Sequence, residues 1–320
     1  MNDFFYILLV VSPTILFTPM KSFFKTTAIW VVLSVLMLVL WILGLIIGNT
    51  IFPSDLMNPS NGSGDDGLPI MLLICGLNTA AIMYFIHSTH RRGWPLVATL
   101  SLVVFGIQYF MSQIETLWFN DSLKMELNSI WALVAGGATS SMLFSVLAVW
   151  VTGTFKKREQ LTSKGETMPF SNTLTMTALM AIVIWPLIYF LAGYFIAWQF
   201  EEVRIYYSGS SEKASFLFMM KENVASHLYS FQVLRGVLWT LIALLVFRSI
   251  SGSWLQKAVV LGLMLAVVGC SQLLLPNPIM PEPVRLAHLL ETSLSGVVLG
   301  MVMAWFFART SPKKASEPLA

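Results

Sequence analysis

The chain has 320 residues, of which 56% are hydrophobic and 11% charged, with 19 Lys and Arg against 16 Asp and Glu. A mean hydropathy of +0.75 excludes a soluble globular domain, in which roughly a quarter of the residues carry charge. The formal net charge of +3 is too small to mark a nucleic-acid binder, and no such partner is expected.

Nine apolar stretches are long enough to cross a bilayer, whose hydrocarbon core takes about 20 helical residues. They run approximately over 4–20, 26–51, 68–87, 94–113, 130–155, 173–199, 229–247, 255–275 and 284–308. The first follows Met1-Asn2-Asp3 and precedes Lys21 and Lys25, so it lacks the basic start of a cleaved signal and reads as a retained span. The expected fold class is therefore an all-α polytopic transmembrane helix bundle. A single domain over 1–310 is followed by a short polar tail over 311–320.

Placing the amino terminus outside puts Lys21, Lys25, Arg91, Arg92, Lys156, Lys157, Arg158, Lys164, Arg248, Lys257, Arg309, Lys313 and Lys314 inside, 13 of the 19 basic residues. The positive-inside rule favours this orientation, with a cytoplasmic carboxyl terminus and a cell membrane, inner or plasma, as the location. Of the acidic residues only Glu159, Glu166 and Glu317 fall inside, which gives the outer mouth a negative bias.

In chain order, the outer turn 52–67 is a Pro- and Gly-rich connector. Its Asn61-Gly62-Ser63, like Asn120-Asp121-Ser122 further on, matches a short glycosylation acceptor pattern that arises easily by chance. His87 and His90 end the third span beside Arg91 and Arg92 as an interfacial basic cluster. In the fourth span Gln108, Ser112 and Glu115 share a face near the outer end at i, i+4, i+7 spacing. Ala132, Gly136 and Ser140 form a small-residue stripe on the fifth, suited to close helix approach. The inner stretch 156–168 is a polar tether.

Trp185-Pro186 should bend or open the sixth span, with Gly193 one to two turns later. The outer stretch 201–228 carries a turn-like Ser208-Gly209-Ser210-Ser211, after which the segment 216–229 either lies along the interface or extends the seventh helix outward. Gln232 and Arg235, at i, i+3, stand beside Gly236 on the seventh span. Cys75 and Cys270 sit in apolar segments as small hydrophobes and carry no redox message.

The ninth span opens with Pro283, suited to a first helical turn, followed by Arg285, His288, Glu291, Ser295 and Gly296 within an arc of about 140°. A charged side chain in hydrocarbon costs roughly 2.5 to 3.5 kcal/mol on insertion scales, so this face should turn inward. Gly296 and Gly300, extended by Ala304, form a GxxxG face that packs internally or meets a membrane partner.

Three polar clusters thus share one depth. We expect the fourth, seventh and ninth spans to gather around an outward-opening polar site made of Gln108, Glu115, Gln232, Arg235, Arg285, His288 and Glu291. Arg235 should pair with Glu115 or Glu291, since a guanidinium satisfies a carboxylate bidentately. His288 and Glu291, one turn apart, have the character of a proton-handling pair. A purely structural role for these polar ties is the competing expectation.

No HxxxH or HExxH spacing, nucleophile elbow or nucleotide-binding loop is present, so no metal or cofactor is expected and no catalytic residue is assigned. No internal repeat divides the chain. Beyond the bilayer itself, three function classes fit. The first is a small-solute or ion-coupled transporter. The others are a membrane-embedded enzyme acting on a lipid-linked substrate at the outer leaflet, and a structural or sensor subunit of a membrane complex.

Overall fold

The computed structural model describes residues 20–55, 67–156, 169–277 and 279–310. The expected first span, apart from Met20, lies outside these residues. So do most of the outer turn around Asn61, the inner tether and the polar tail.

The described chain is a bundle of α-helices without strands. Eight helices have the length and apolarity to cross a membrane. They are α1 (Met20–Ile51), α2 (Gly67–Ser88), α3 (Gly93–Trp118), α4 (Leu127–Val151), α5 (Phe170–Gln199), α8 (Leu228–Ser249), α9 (Trp254–Leu274) and α10 (Glu282–Thr310). Two shorter helices, α6 (Glu201–Ser208) and α7 (Phe216–Ala225), lie between α5 and α8.

Apolar side chains cover most of each span, as expected where the solvent is lipid. The division between inside and outside is clearest on α10. Leu286, Leu290, Leu294, Val297 and Met301 point away from the bundle, while Arg285, Glu291, Gly296 and Gly300 are buried. Polar and small residues take the inward arc because hydrocarbon offers a charged group no partner.

Two helix pairs form close seams. α1 runs along α4, where Gly44 and Gly48 meet Ala132, Gly136 and Ser140; a Cβ on Gly44 would stand 2.6 Å from the Gly136 carbonyl oxygen. Ser140 Oγ donates to the Leu40 carbonyl oxygen across this seam at 2.8 Å. α9 runs along α10, where a Cβ on Gly300 would stand 2.5 Å from the Gly262 amide nitrogen and one on Gly296 3.0 Å from that of Ala266. The Gly296 and Gly300 face is thus filled by the chain's own α9. Without a hydrophobic force between helices in lipid, such backbone proximity is what dispersion packing requires.

Three spans are not regular α-helix. α3 contains a π-helical segment at Phe105–Phe110, α5 one at Met180–Ile184 and α9 one at Met264–Val268. The segment in α5 directly precedes Trp185-Pro186. Proline brings no N–H and its ring crowds the carbonyl one turn back, so the widened turn relieves the conflict that the sequence foreshadows as a bend.

The expected turn at 208–211 is present, and the segment beyond it, 216–229, does not prolong α8 as one continuous helix. Gly209 ends α6 at φ 70°, and His227 at φ 61° breaks the chain between α7 and α8. α6 docks on the bundle end through Val203, which packs with Ala197, Val284 and Ala287. At the opposite end Thr89 pairs with Ile250 in an isolated bridge, and the His90 amide donates to the Ser249 carbonyl oxygen at 3.0 Å. Burial first, then the charges of Arg91, Lys257 and Arg92, hold the His90 imidazole below its ordinary range.

Gly300→Leu should lower thermal stability of the purified protein by about 1 to 3 kcal/mol, through overpacking against Gly262. Met301→Leu, one residue along on the outward face, should leave the melting temperature unchanged. Equal effects of the two would mean that the α9–α10 seam is not closely packed.

Candidate intramembrane site

α8 carries Gln232, Arg235 and Trp239 on one inward strip, since positions three and four apart share a helix face. Gly236 lets α8 approach the π segment of α5; a Cβ there would come within 2.7 Å of Ala181 Cα. This contact places Arg235 beside Trp185 and Tyr189.

Arg235 is 4% exposed. Its two terminal nitrogens each donate to one oxygen of Glu115 at 2.7 Å, the fork geometry in which guanidinium and carboxylate match. Nη1 also donates to Gln232 Oε1 at 3.2 Å, and that oxygen accepts from Trp185 Nε1 at 3.0 Å. The guanidinium carbon lies 5.4 Å from the Trp185 ring centre and 5.8 Å from those of Tyr189 and Phe231. Charge, amide and aromatic faces therefore all act on one cation in a site from which most water is excluded.

The pair is asymmetric. The Arg235 side chain is 5% exposed and that of Glu115 33%. The carboxylate reaches toward the bundle end, and the guanidinium is fixed from several sides.

Against this pair lies a cavity of about 80 Å³, room for several waters. Glu115, Arg235, Trp185, Trp239, Cys270 and Thr292 line it together with Ser112, Ser295 and apolar side chains that include Ile107 and Leu265. Two of the three π segments reach its wall, with Ile107 from the one in α3 and Leu265 from the one in α9; Trp185, which also lines it, follows the one in α5.

Of the seven residues expected from sequence, Glu115 and Arg235 line this cavity and Gln232 braces Arg235. His288 and Glu291 form a separate pair nearby, Nδ1 to Oε2 2.8 Å apart. Glu291 Oε1 lies opposite Gly193 of α5, 3.5 Å from where a Cβ would stand. Tyr207 of α6 covers His288 edge-on, with ring centres 5.6 Å apart. Burial first, then the Glu115 carboxylate, holds the Tyr207 phenol far above its ordinary value, so it remains a protonated donor.

Gln108 and Arg285 stand elsewhere. The π segment adds a residue to the turn after Phe105, so Gln108 and Glu115 lose the common face that regular helical spacing implies. Gln108 turns toward Tyr109 and Ser140, and its backbone carbonyl accepts from Gln272 Nε2 at 3.0 Å. Arg285, 5% exposed, donates to the Leu273 carbonyl oxygen at 3.0 Å and ties down the end of α9. Trp239, Thr292, Cys270 and Tyr207 were not among the expected site residues. The first could have been read from its place one turn after Arg235; nothing in the local sequence marks Tyr207.

Among the described residues, buried Arg235 Nε, Gln232 Nε2, Trp239 Nε1 and His288 Nε2 have no hydrogen-bond partner. Among them also, no group of three His, Cys, Asp or Glu side chains converges as a metal site would require. No protein-family model, curated protein or solved structure matches the chain.

Replacing Glu115 by Leu should cost about 2 to 3 kcal/mol, less than the roughly 3 to 5 kcal/mol of a fully buried pair because water reaches part of Glu115. Adding Arg235→Met should recover most of that loss, since no unpaired charge then remains. Additive losses in thermal unfolding of the single and double variants would rule out direct coupling.

Proposed function

We propose that this multi-pass membrane protein is a transporter for a small solute, coupled to ion or proton movement, with its central site at the cavity beside Arg235 and Glu115. The observation that carries this reading is a mostly apolar cavity that holds the Arg235–Glu115 pair and is lined from two π segments, with a third ending beside it. A π turn leaves carbonyl groups imperfectly paired and lets a helix shift register locally, and such turns occur frequently at functional sites. Transporter sites in membranes are commonly built where helices depart from regularity and polar backbone lines a cavity. An enzyme acting at the outer leaflet or a structural subunit has no comparable observation in its favour.

On this reading the amino terminus is outside and the cavity lies in the outer half of the bundle, as the distribution of basic residues favours. Glu115 is the gate residue nearest to water. His288 and Glu291 form the proton-handling pair, sheltered by Tyr207 and reached past α6. An imidazole hydrogen-bonded to a carboxylate can hold a proton and hand it on, which suits coupling.

In liposomes containing a trapped pH dye, the reconstituted protein should carry protons down an imposed gradient when a transported solute is supplied from a panel of small organic anions, cations and neutral molecules. Glu291→Gln should reduce this flux by about tenfold or more while leaving the melting temperature within a few degrees of the parent. Flux no greater than in protein-free liposomes across the whole panel would refute the transport reading. Loss of folded Glu291→Gln protein would show that Glu291 is a structural tie.

A further inference from the structure

We infer that the cavity binds a short carboxylate, whose head group takes the place of the Glu115 carboxylate on Arg235. This deepens the transport reading and rests on it. Three observations lead there independently of each other.

The first is the difference in enclosure between the two members of the pair. Arg235 is gripped by Gln232 and by the faces of Trp185, Tyr189 and Phe231. Glu115 has a side chain 33% exposed, and no hydrogen bond other than those from Arg235 is recorded for its carboxylate among the described residues. Glu115 is thus less enclosed and held by Arg235 alone, so its carboxylate can be displaced while Arg235 stays in place. A cation left alone in such a site is strongly disfavoured, so release of Glu115 requires another anion.

The second is the hydrogen-bonding character of the wall. The hydroxyl protons of Ser112, Thr292 and Ser295 are committed to the carbonyl oxygens of Tyr109, His288 and Thr292. Arg235 Nε and Trp239 Nε1, on cavity-lining residues, have no partner but are themselves closed off from the cavity, so the donors a ligand could take over are the Arg235 Nη groups now held by Glu115. A wall whose hydroxyl protons are committed and whose exchangeable donors belong to one fixed guanidinium calls for an anionic acceptor. A carboxylate meets that need bidentately; an ammonium ion would add a second positive charge beside Arg235.

The third is size. The cavity of about 80 Å³ is roughly half of the ~150 Å³ apolar cavity that accommodates benzene in an engineered protein. With the space vacated by the Glu115 carboxylate, this admits a ligand on the order of five heavy atoms. The apolar wall at Ile107, Met111, Leu265 and Leu299 suits a short alkyl tail.

Propionate is the test ligand, with propionamide and propylammonium as controls of the same size. In liposome-reconstituted protein carrying Cys75→Ala, the remaining Cys270 reports on the cavity it lines. Propionate should slow its modification by a methanethiosulfonate reagent and raise the melting temperature of the unlabelled protein, and neither control should do so. Glu115→Gln removes the built-in competitor, so half-maximal stabilisation should need about tenfold less propionate. Stabilisation by propionamide equal to that by propionate, or no response of the melting temperature to propionate, would overturn the assignment. If proton flux with another solute persists in that case, the transport reading stands without the carboxylate. If propionate binds but no flux accompanies it, the site survives and the transport reading falls.

Discussion

The interior of this bundle is organised by the need to keep one guanidinium satisfied in a medium that cannot solvate it. Arg235 sits on a helix whose other side faces lipid, and an uncompensated charge there would disfavour membrane insertion by several kcal/mol. Compensation comes partly from helices distant in sequence, a carboxylate from α3 and an indole and a phenol from α5, and partly from an amide and a phenyl ring of α8 itself. Each contact constrains where its helix can sit. The polar group therefore acts as a register mark for helices that apolar packing alone would allow to slide.

Packing around that mark is uneven. On one side α1 and α4 approach through Gly44, Gly48 and Gly136, and on another α9 and α10 approach through Gly262, Gly296 and Gly300. Between these seams three of the helices that reach the cavity, α3, α5 and α9, are interrupted by π turns, and a void remains. Cavities forfeit dispersion contacts, and in lipid those contacts are a main source of helix association. Rigid seams flanking an irregular, incompletely filled centre are the arrangement in which one part of a bundle can move against another.

The ionisable groups nearest the cavity fall into two stations. One is the Arg235–Glu115 pair at the cavity; the other is His288 with Glu291, roofed by Tyr207 of α6. Tyr189 stands between them, within electrostatic reach of Glu115, Arg235, Glu291 and Tyr207 alike. A change of charge at one station is thus felt at the other through a medium of low polarisability, with little water to screen it. This proximity is the physical basis on which coupling between proton and solute can be discussed at all.

Much of the architecture is legible in the linear chain because hydropathy over about 20 residues is a local property. The eight described spans match the expected ones to within several residues, and α3 extends past its expected end to include Glu115. The inward turn of the α10 polar face follows from helical periodicity and the cost of charge in lipid. The pairing of Arg235 with a carboxylate follows from the same cost, but its choice of Glu115 over Glu291 does not. That choice depends on how α8 rotates against α5 at Gly236 and Ala181. Gln108 left the expected site because a π turn breaks the 3.6-residue period on which its placement relied, and Tyr207 and Thr292 entered it through contacts between segments far apart in sequence. Composition and periodicity determined what each helix must bury; only the packing of helices against one another decided what those buried groups would meet.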